Sequence, residues 1–423
     1  MIKKNIVKSN FSSFFLVLLL VICSGSANKI SYGAGVWAIL SVLFVLYVIL
    51  FKKGRGLSNL FIPLVIVFMF FIGYKIKYNI FDLGFLARFV SWVTLPYCTL
   101  LLIGKENFFK LYVRVMVFLA IIAFPFYIYQ LIDPYSLFSL LKPIESFFGL
   151  AKFAGGEFAS TGDKYVNVIF YTVNTIYPDI FHRSLGFAFE PGFYSIFIAL
   201  AIFFNIVISK NFFNKQGIIL IIALITTFST TGFIAFFIIL IYYLITGSKS
   251  RKTKYLLPLL ISLIVLVFIN TSFLFEKIYE SFTGLGQREL TQIGYNERFT
   301  AGRFLGFRVG IYNFTLNPLI GFGDYSDGEY FKKTFNSNVG IINGIANYLA
   351  TLGSFGVLFL LISFRKTYNQ LRNLYGNITL YLSSLLWVFS FSFAFPFTPL
   401  FGVFMIYFLV PSKILNKNKI LNG

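Results

Sequence analysis

Twelve long apolar runs decide what this chain can fold into. A bilayer's hydrocarbon core is about 30 Å thick, and a helix needs about 20 apolar residues to cross it. Backbone groups at that depth have no water to bond, so each run must satisfy its own hydrogen bonds as a helix. The runs lie at about 11–27, 35–51, 59–75, 83–103, 111–131, 186–208, 217–230, 232–247, 255–273, 341–364, 374–392 and 394–411. The seventh and eighth are short and meet at Ser229-Thr-Thr-Gly232. With 58% hydrophobic residues and a mean hydropathy of +0.81 over 423 residues, the composition excludes a soluble domain. The expected fold is an all-α polytopic membrane protein of about 12 transmembrane helices, with residues 1–423 forming one membrane domain. Two connections are long, 132–185 and 274–340, and each reads as a loop module on the same side.

Charge assigns the sides. A net charge of +21 suits a nucleic-acid partner only if the cations form one accessible patch. Sorted by the twelve runs, one side carries 21 cations against a single acid, Glu106, and the other carries 15 against 14. Cations concentrate on the cytoplasmic side of membrane proteins. Both termini are therefore expected in the cytoplasm and both long loops outside it, with no nucleic-acid partner. The basic inner face suits anionic lipid. Cys23 and Cys98 fall in apolar runs, and the chain has a single His, so no zinc-type or His-rich metal site is expected. The N-terminus mimics a signal peptide, with Lys3 and Lys4 before an apolar run and Gly25-Ser-Ala27 after it. Eleven further runs favour an uncleaved first span.

The loops are patterned. Ser136–Leu150 places Leu137, Leu140, Leu141, Ile144, Phe147 and Phe148 around Lys142 and Glu145, which reads as an interfacial amphipathic helix broken at Pro143. Phe273–Leu285 is similar, and Ser160–Asp163 reads as a turn region.

Ionisable groups at the mouth of an apolar helix are costly and are functional candidates by default. His182-Arg-Ser-Leu-Gly-Phe-Ala-Phe-Glu190-Pro191-Gly brings Arg183 and Glu190 to the start of the sixth run. The second loop holds Arg288, Arg298, Arg303 and Arg308, with lysine absent between Lys277 and Lys332. Guanidinium grips phosphate oxygens bidentately, whereas lysine is a point charge. The plainer reading pairs Arg288 and Arg298 with Glu289 and Glu297. Arg88, near the outer end of the fourth run, snorkels, pairs with Asp82 or meets a substrate phosphate.

Four motifs in order resemble one family. They are Arg183-x-x-Gly-x-x-x-Glu190-Pro191, Phe228-Ser-Thr-Thr-Gly232, Gly302-Arg303 opening a helix that ends in Pro318-Leu-x-Gly-x-Gly323, and Asn343-Gly-Ile-Ala-Asn347 leading to Gly353 and Gly356. Over roughly 170–365, and in its topology, the chain resembles the O-antigen polymerase and ligase superfamily, in particular the Wzy-type O-antigen or exopolysaccharide polymerases. The resemblance implies a GT-C-like membrane glycosyltransferase in the bacterial cytoplasmic (inner) membrane. Its substrate would be oligosaccharide on undecaprenyl diphosphate, used at the outer face without nucleotide sugar, metal or other cofactor. A flippase and a chain-length regulator are the implied protein partners, beside membrane lipid. Ligases of the superfamily usually carry a His late in the second loop. Here the only His is His182, which favours the polymerase. A flippase of the same lipid is a competing class, but such transporters usually show repeated halves, and none is visible.

For such a transfer, Arg183 and Arg303 are the candidates to stabilise the departing diphosphate. Arg298 and Arg308 are weaker ones. Glu190 is either the base for the acceptor hydroxyl or a partner that caps the helix and orients Arg183. His182 and Arg88 are candidate substrate contacts.

Overall fold

The computed structural model describes residues 11–26, 28, 33–52, 54, 56–79, 82–148, 165–175, 182–246, 298–301, 303–323, 338–341 and 343–411. Its helices are α1 (Phe11–Gly25), α2 (Ala34–Lys52), α3 (Phe61–Tyr78), α4 (Leu83–Ile103), α5 (Lys105–Ile132), α6 (Pro134–Phe148), α7 (Pro191–Ser209), α8 (Lys215–Ile225), α9 (Thr230–Thr246), α10 (Arg303–Leu316), α11 (Gly344–Tyr375), α12 (Thr379–Ser392) and α13 (Pro399–Ile406). Among the described residues, six helices are long and apolar enough to cross a membrane: α2, α3 with its 3-10 lead-in from Leu57, α4, α5, α7 and α11. Shorter apolar helices fall on the other expected runs among the described residues. The ninth run, the stretch 273–285, the Ser160–Asp163 turn region and Arg288 lie outside the described residues.

Burial orders the bundle. In α7, 89% of the apolar window is buried, against 22% in α2. A helix apolar all round belongs at the centre, and α7 is built that way. It packs on α5, α8 and α9. Phe109 of α5 stacks on Phe204 of α7 with ring centroids 3.7 Å apart, and Tyr112 donates to the Phe197 carbonyl at 2.9 Å. α2 lies along α4 at the periphery, with Ile39, Leu43 and Leu50 exposed.

Caps fix where the helices start. Asp82 accepts from the Gly84 and Phe85 amides at 2.7 and 3.1 Å, Asn214 from Gly217 at 2.7 Å, and Asn343 from Ala346 at 3.0 Å. α8 has 11 residues, about 16 Å of helix, too short to cross a bilayer alone. The Thr226–Ser229 turn after it closes on Ile222, Leu224 and Ile225 carbonyls, with Phe228 at φ 41°.

Three expectations change. α6 continues through Pro143 from Pro134 to Phe148, where the sequence predicts a break. Leu137 and Leu141 are buried against an antiparallel hairpin, β1 (Tyr165–Val168) with β2 (Tyr171–Asn174), and that packing overrides the local cost of the proline. The loops also contain strands that the all-α pattern lacks. Besides the hairpin there is a parallel pair, β3 (Arg298–Ala301) with β4 (Asn338–Ile341). The twelfth run is divided into 3-10 turns at Phe395–Phe397 and Tyr407–Leu409 around α13, because Pro396 and Pro399 interrupt it.

α11 is broken at Gly353, which sits at φ 61° and ψ −158°. The groups freed by the break are taken up by the turn after α10. Ser354 and Phe355 donate to the Pro318 and Leu319 carbonyls at 2.7 and 3.1 Å, and Phe322 donates to Ala350 at 2.8 Å. A Cβ on Gly353 would lie 2.6 Å from Leu319 O and Gly321 N, so only glycine permits this contact. The two glycine-rich motifs are thus the two halves of one joint.

Candidate functional site

Arg303 opens α10, and its position is fixed from below by residues at the end of α12. Nε donates to the Ser392 carbonyl at 3.2 Å, and Cζ stands 5.0 Å from the centroid of the Phe393 ring. The Asn343 amide donates to the Arg303 carbonyl at 3.4 Å while its oxygen caps α11. Gly310 of α10 faces Ala346 of α11 so closely that a Cβ would come within 2.5 Å of the Ala346 Cβ. The guanidinium is therefore oriented through Nε, on an aromatic face, with its position set by two packed helices.

Glu190 and Arg183 act electrostatically on this group. Burial lowers the Arg303 pKa, the Glu190 carboxylate raises it, and the Arg183 guanidinium lowers it. Arg303 from one segment, and Arg183 with Glu190 from another, are each half-buried, and together the three carry a net charge of +1. In a medium of reduced dielectric, an excess cation of this kind attracts an anion strongly. Bidentate recognition is the guanidinium's particular capacity.

Glu190 occupies the N-cap position of α7 in extended geometry, with Pro191 at the first helical position. Its carbonyl accepts from Phe193 and Tyr194 at 3.1 and 3.0 Å, and its side chain makes no capping bond. The capping half of the alternative raised by the sequence is thus not realised. The carboxylate stands at the mouth of α7, from where it acts on Arg303 electrostatically.

The floor beneath these charges is a set of buried hydroxyls. Ser195 Oγ contacts Ser229 Oγ at 3.2 Å, the Gly232 amide donates to Ser229 Oγ at 3.3 Å, and Thr231 Oγ1 bonds Ser392 Oγ at 3.0 Å. A Cβ on Gly192 would meet Phe393 at 2.5 Å, and one on Gly344 would meet the Phe393 carbonyl at 2.1 Å. The four sequence motifs therefore converge on Ser392–Phe393. Sequence reasoning missed that pair. The nearby Pro396 and Pro399, which break an apolar run, were the available signal.

The remaining candidates are dispersed. Arg308 is exposed, five residues along α10 from Arg303 and so about 140° around the helix. Arg298 lies in β3, paired in register with Asn338. His182 is half-buried next to Arg183, and Ser184 donates to the Thr226 carbonyl at 2.9 Å, tying this approach to the turn before α9. Arg88 is exposed on α4, whose cap is Asp82. Tyr194, at the start of α7, is 1% exposed and packed against Gly186 and Phe187.

The hairpin is docked by a polar network. Asn167 of β1 donates to Thr172 at 2.6 Å and to the Phe187 carbonyl at 3.4 Å, and Ser26 beyond α1 donates to Asn167 at 3.3 Å. The Arg183–Glu190 approach is thereby held between the first helix and the first long loop.

Comparison with known proteins gives one family. Residues 217–361 match the model of a family described as O-antigen ligase. This stretch contains the Ser-Thr-Thr-Gly turn, Arg303, the α10–α11 joint and Asn343. No curated protein matches the chain. Over the matched third of its length the chain is similar to O-antigen ligase proteins, and its described residues include six helices long and apolar enough to cross a membrane.

Proposed function

We propose that the protein is a polysaccharide polymerase, acting on oligosaccharide repeat units carried by undecaprenyl diphosphate at the outer face of the bacterial cytoplasmic membrane. The observation that carries this reading is Arg303, half-buried, oriented by Ser392 and Phe393, and under the field of Glu190 and Arg183. In the reaction, a hydroxyl oxygen of the acceptor unit attacks the anomeric carbon of the growing chain. The bond from that carbon to the phosphate oxygen breaks, and the electron pair leaves with the lipid diphosphate. The Arg303 and Arg183 guanidiniums stabilise the charge that develops there. The hydroxyl proton passes to the Glu190 carboxylate. His182, Arg298, Arg308 and Arg88 are assigned to substrate contact around this centre. The reaction is metal-independent in this scheme. The chain crosses the membrane twelve times with both termini in the cytoplasm, and 132–185 and 274–340 form the two outer modules that receive the glycan. A flippase supplies the units and a chain-length regulator sets the product.

A ligase of the same superfamily is the second reading, and the family match does not favour it over the polymerase. The two share donor chemistry and differ in the acceptor. Purified protein in lipid discs, given only a lipid-linked repeat unit, is expected to yield a ladder of products that each differ by one unit. In a second reaction with a lipid A core acceptor added, transfer solely to that acceptor would establish the ligase. Movement of intact substrate across the bilayer without new glycosidic bonds would establish a transporter.

A further inference from the structure

Three carbonyls of the segment that leads to Glu190 are held by the β1–β2 hairpin. The Thr172 backbone amide donates to the Gly186 carbonyl at 2.7 Å, the Asn167 side-chain amide to the Phe187 carbonyl at 3.4 Å, and the Tyr165 hydroxyl to the Phe189 carbonyl. The donors step from β2 to β1 as the segment runs towards α7. Between Ser184 and Glu190 the chain forms neither helix nor strand. Backbone groups there have no ladder of their own, so the segment takes its shape from the donors that hold it. It also rests on α7. Gly186 sits at φ 50°, and a Cβ there would lie 2.4 Å from Tyr194 Cζ.

The hairpin is itself anchored. Val166, Tyr171 and Val173 are buried with Leu137 and Leu141 of α6 and Tyr127 of α5. The Tyr171 hydroxyl donates to Gln130 Oε1 at 2.7 Å, and Phe126 stacks on the Tyr171 ring with centroids 5.4 Å apart. Through the hairpin, α5 and α6 thus reach the peptide bond in front of Glu190.

Glu190 depends on that peptide. Its side chain makes no capping bond, so the backbone decides where the carboxylate points. Two planar peptide units flank its Cα. The unit after it is fixed by α7, because the Glu190 carbonyl accepts from the Phe193 and Tyr194 amides at 3.1 and 3.0 Å. The unit before it contains the Phe189 carbonyl, and Tyr165 holds that one. Tyr165 is 3% exposed, so its hydroxyl is kept on this acceptor by a ring buried in the hairpin.

We infer that Tyr165 is a positioning residue for Glu190: its hydroxyl fixes the peptide unit before Glu190 and so sets where the carboxylate stands relative to Arg303. The inference rests on the reading of Glu190 as the group that takes the acceptor's proton. Moving a reacting group by about 1 Å can cost about 10²-fold in rate.

Tyr165→Phe keeps the buried ring and removes only the donor. In lipid discs, its turnover in elongation is expected to fall about 10–10²-fold, with the KM for the lipid-linked repeat unit unchanged. A residue that supports only the fold gives the same loss in any background, whereas one that acts through Glu190 gives no further loss once Glu190 is replaced. In the Glu190→Gln background, Tyr165→Phe is therefore expected to change turnover by less than about twofold. Equal losses in both backgrounds, or normal turnover in Tyr165→Phe alone, overturn the inference. A second measurement needs no elongation. Glu190→Cys is made in a full chain lacking Cys23 and Cys98, and its rates of modification by an anionic and a cationic methanethiosulfonate are compared. The field of Arg303 favours the anionic reagent. Adding Tyr165→Phe is expected to lower the anion-to-cation ratio at least about threefold. An unchanged ratio overturns the inference. A lowered ratio in a protein that elongates nothing leaves Tyr165 in its role and removes the proposed reaction.

Discussion

Replacing Arg303 by lysine keeps the positive charge and removes the planar fork. The structure sets the size of the effect. Nε holds the Ser392 carbonyl at 3.2 Å while the ring of Phe393 supports the guanidinium plane at 5.0 Å. Lysine has no nitrogen at the Nε position, so the bond to Ser392 is lost, a charge-assisted contact worth about 1.5–3 kcal/mol. The ammonium can still lie over an aromatic face, so part of the cation–π attraction survives. The larger loss is in the reaction. Removing one preorganised donor to developing charge typically costs about 10²–10³-fold in turnover, or about 3–4 kcal/mol. Arg303→Lys should therefore reduce elongation of a lipid-linked repeat unit by about 10²–10³-fold, with the protein still folded and inserted. Product ladders from lipid discs report the rate, and the single repeat unit on lipid should accumulate in cells. Normal-length polymer from the lysine variant would refute the bidentate role and leave Arg303 as a headgroup anchor.

Glu190→Gln should lower turnover by about 10²–10⁴-fold with substrate still bound, because an amide cannot take the proton; near-normal turnover in that variant, with Glu190→Ala much worse, would assign the side chain to orienting Arg183. Gly344→Ala should destroy elongation, since the added Cβ would lie 2.1 Å from the Phe393 carbonyl and 2.8 Å from Pro396, and backbone must move; full activity with an unchanged thermal transition would show that the platform under Arg303 tolerates displacement. For topology, single cysteines at Ser160 and Ser250 in a background lacking Cys23 and Cys98 are treated with a membrane-impermeant maleimide in intact cells. Labelling is expected at 160 alone, and labelling at 250 alone would reverse the orientation.

Much of the scaffold was legible because membrane burial writes itself as long apolar runs. The start of α7 was legible from Glu190-Pro191, and the start of α11 from Asn343-Gly344, since caps and first-turn prolines are local chemistry. Arg183, Glu190 and Arg303 were selected because charge at an apolar helix mouth is costly, and the first two act electrostatically on the third. What the sequence could not give is set by partners far along the chain. α6 keeps its course through Pro143 because the β1–β2 hairpin covers Leu137 and Leu141. Ser392 and Phe393 carry no signature of their own, and their role exists only because α10 docks upon them. Likewise, 140° around α10 separates Arg308 from Arg303, which sequence proximity had grouped together.

The docking of the motifs explains why glycine recurs in them. Gly192, Gly232, Gly310 and Gly344 each sit where a Cβ would come within 2.8 Å of a neighbouring segment. At these points the segments approach so closely that no side chain fits between them. A site assembled this way has little freedom to adjust: Arg303 reaches Ser392 because α10 lies against α11, and α11 lies against the turn that carries Phe393. Electrostatic stabilisation of a leaving group depends on donors that are already in place, because reorganisation during the reaction would cancel the gain. The Gly353 joint extends the same logic to the bilayer side. By fastening the Pro318–Gly323 turn to the broken α11, it ties the loop helix that carries Arg303 to a helix long and apolar enough to cross the membrane.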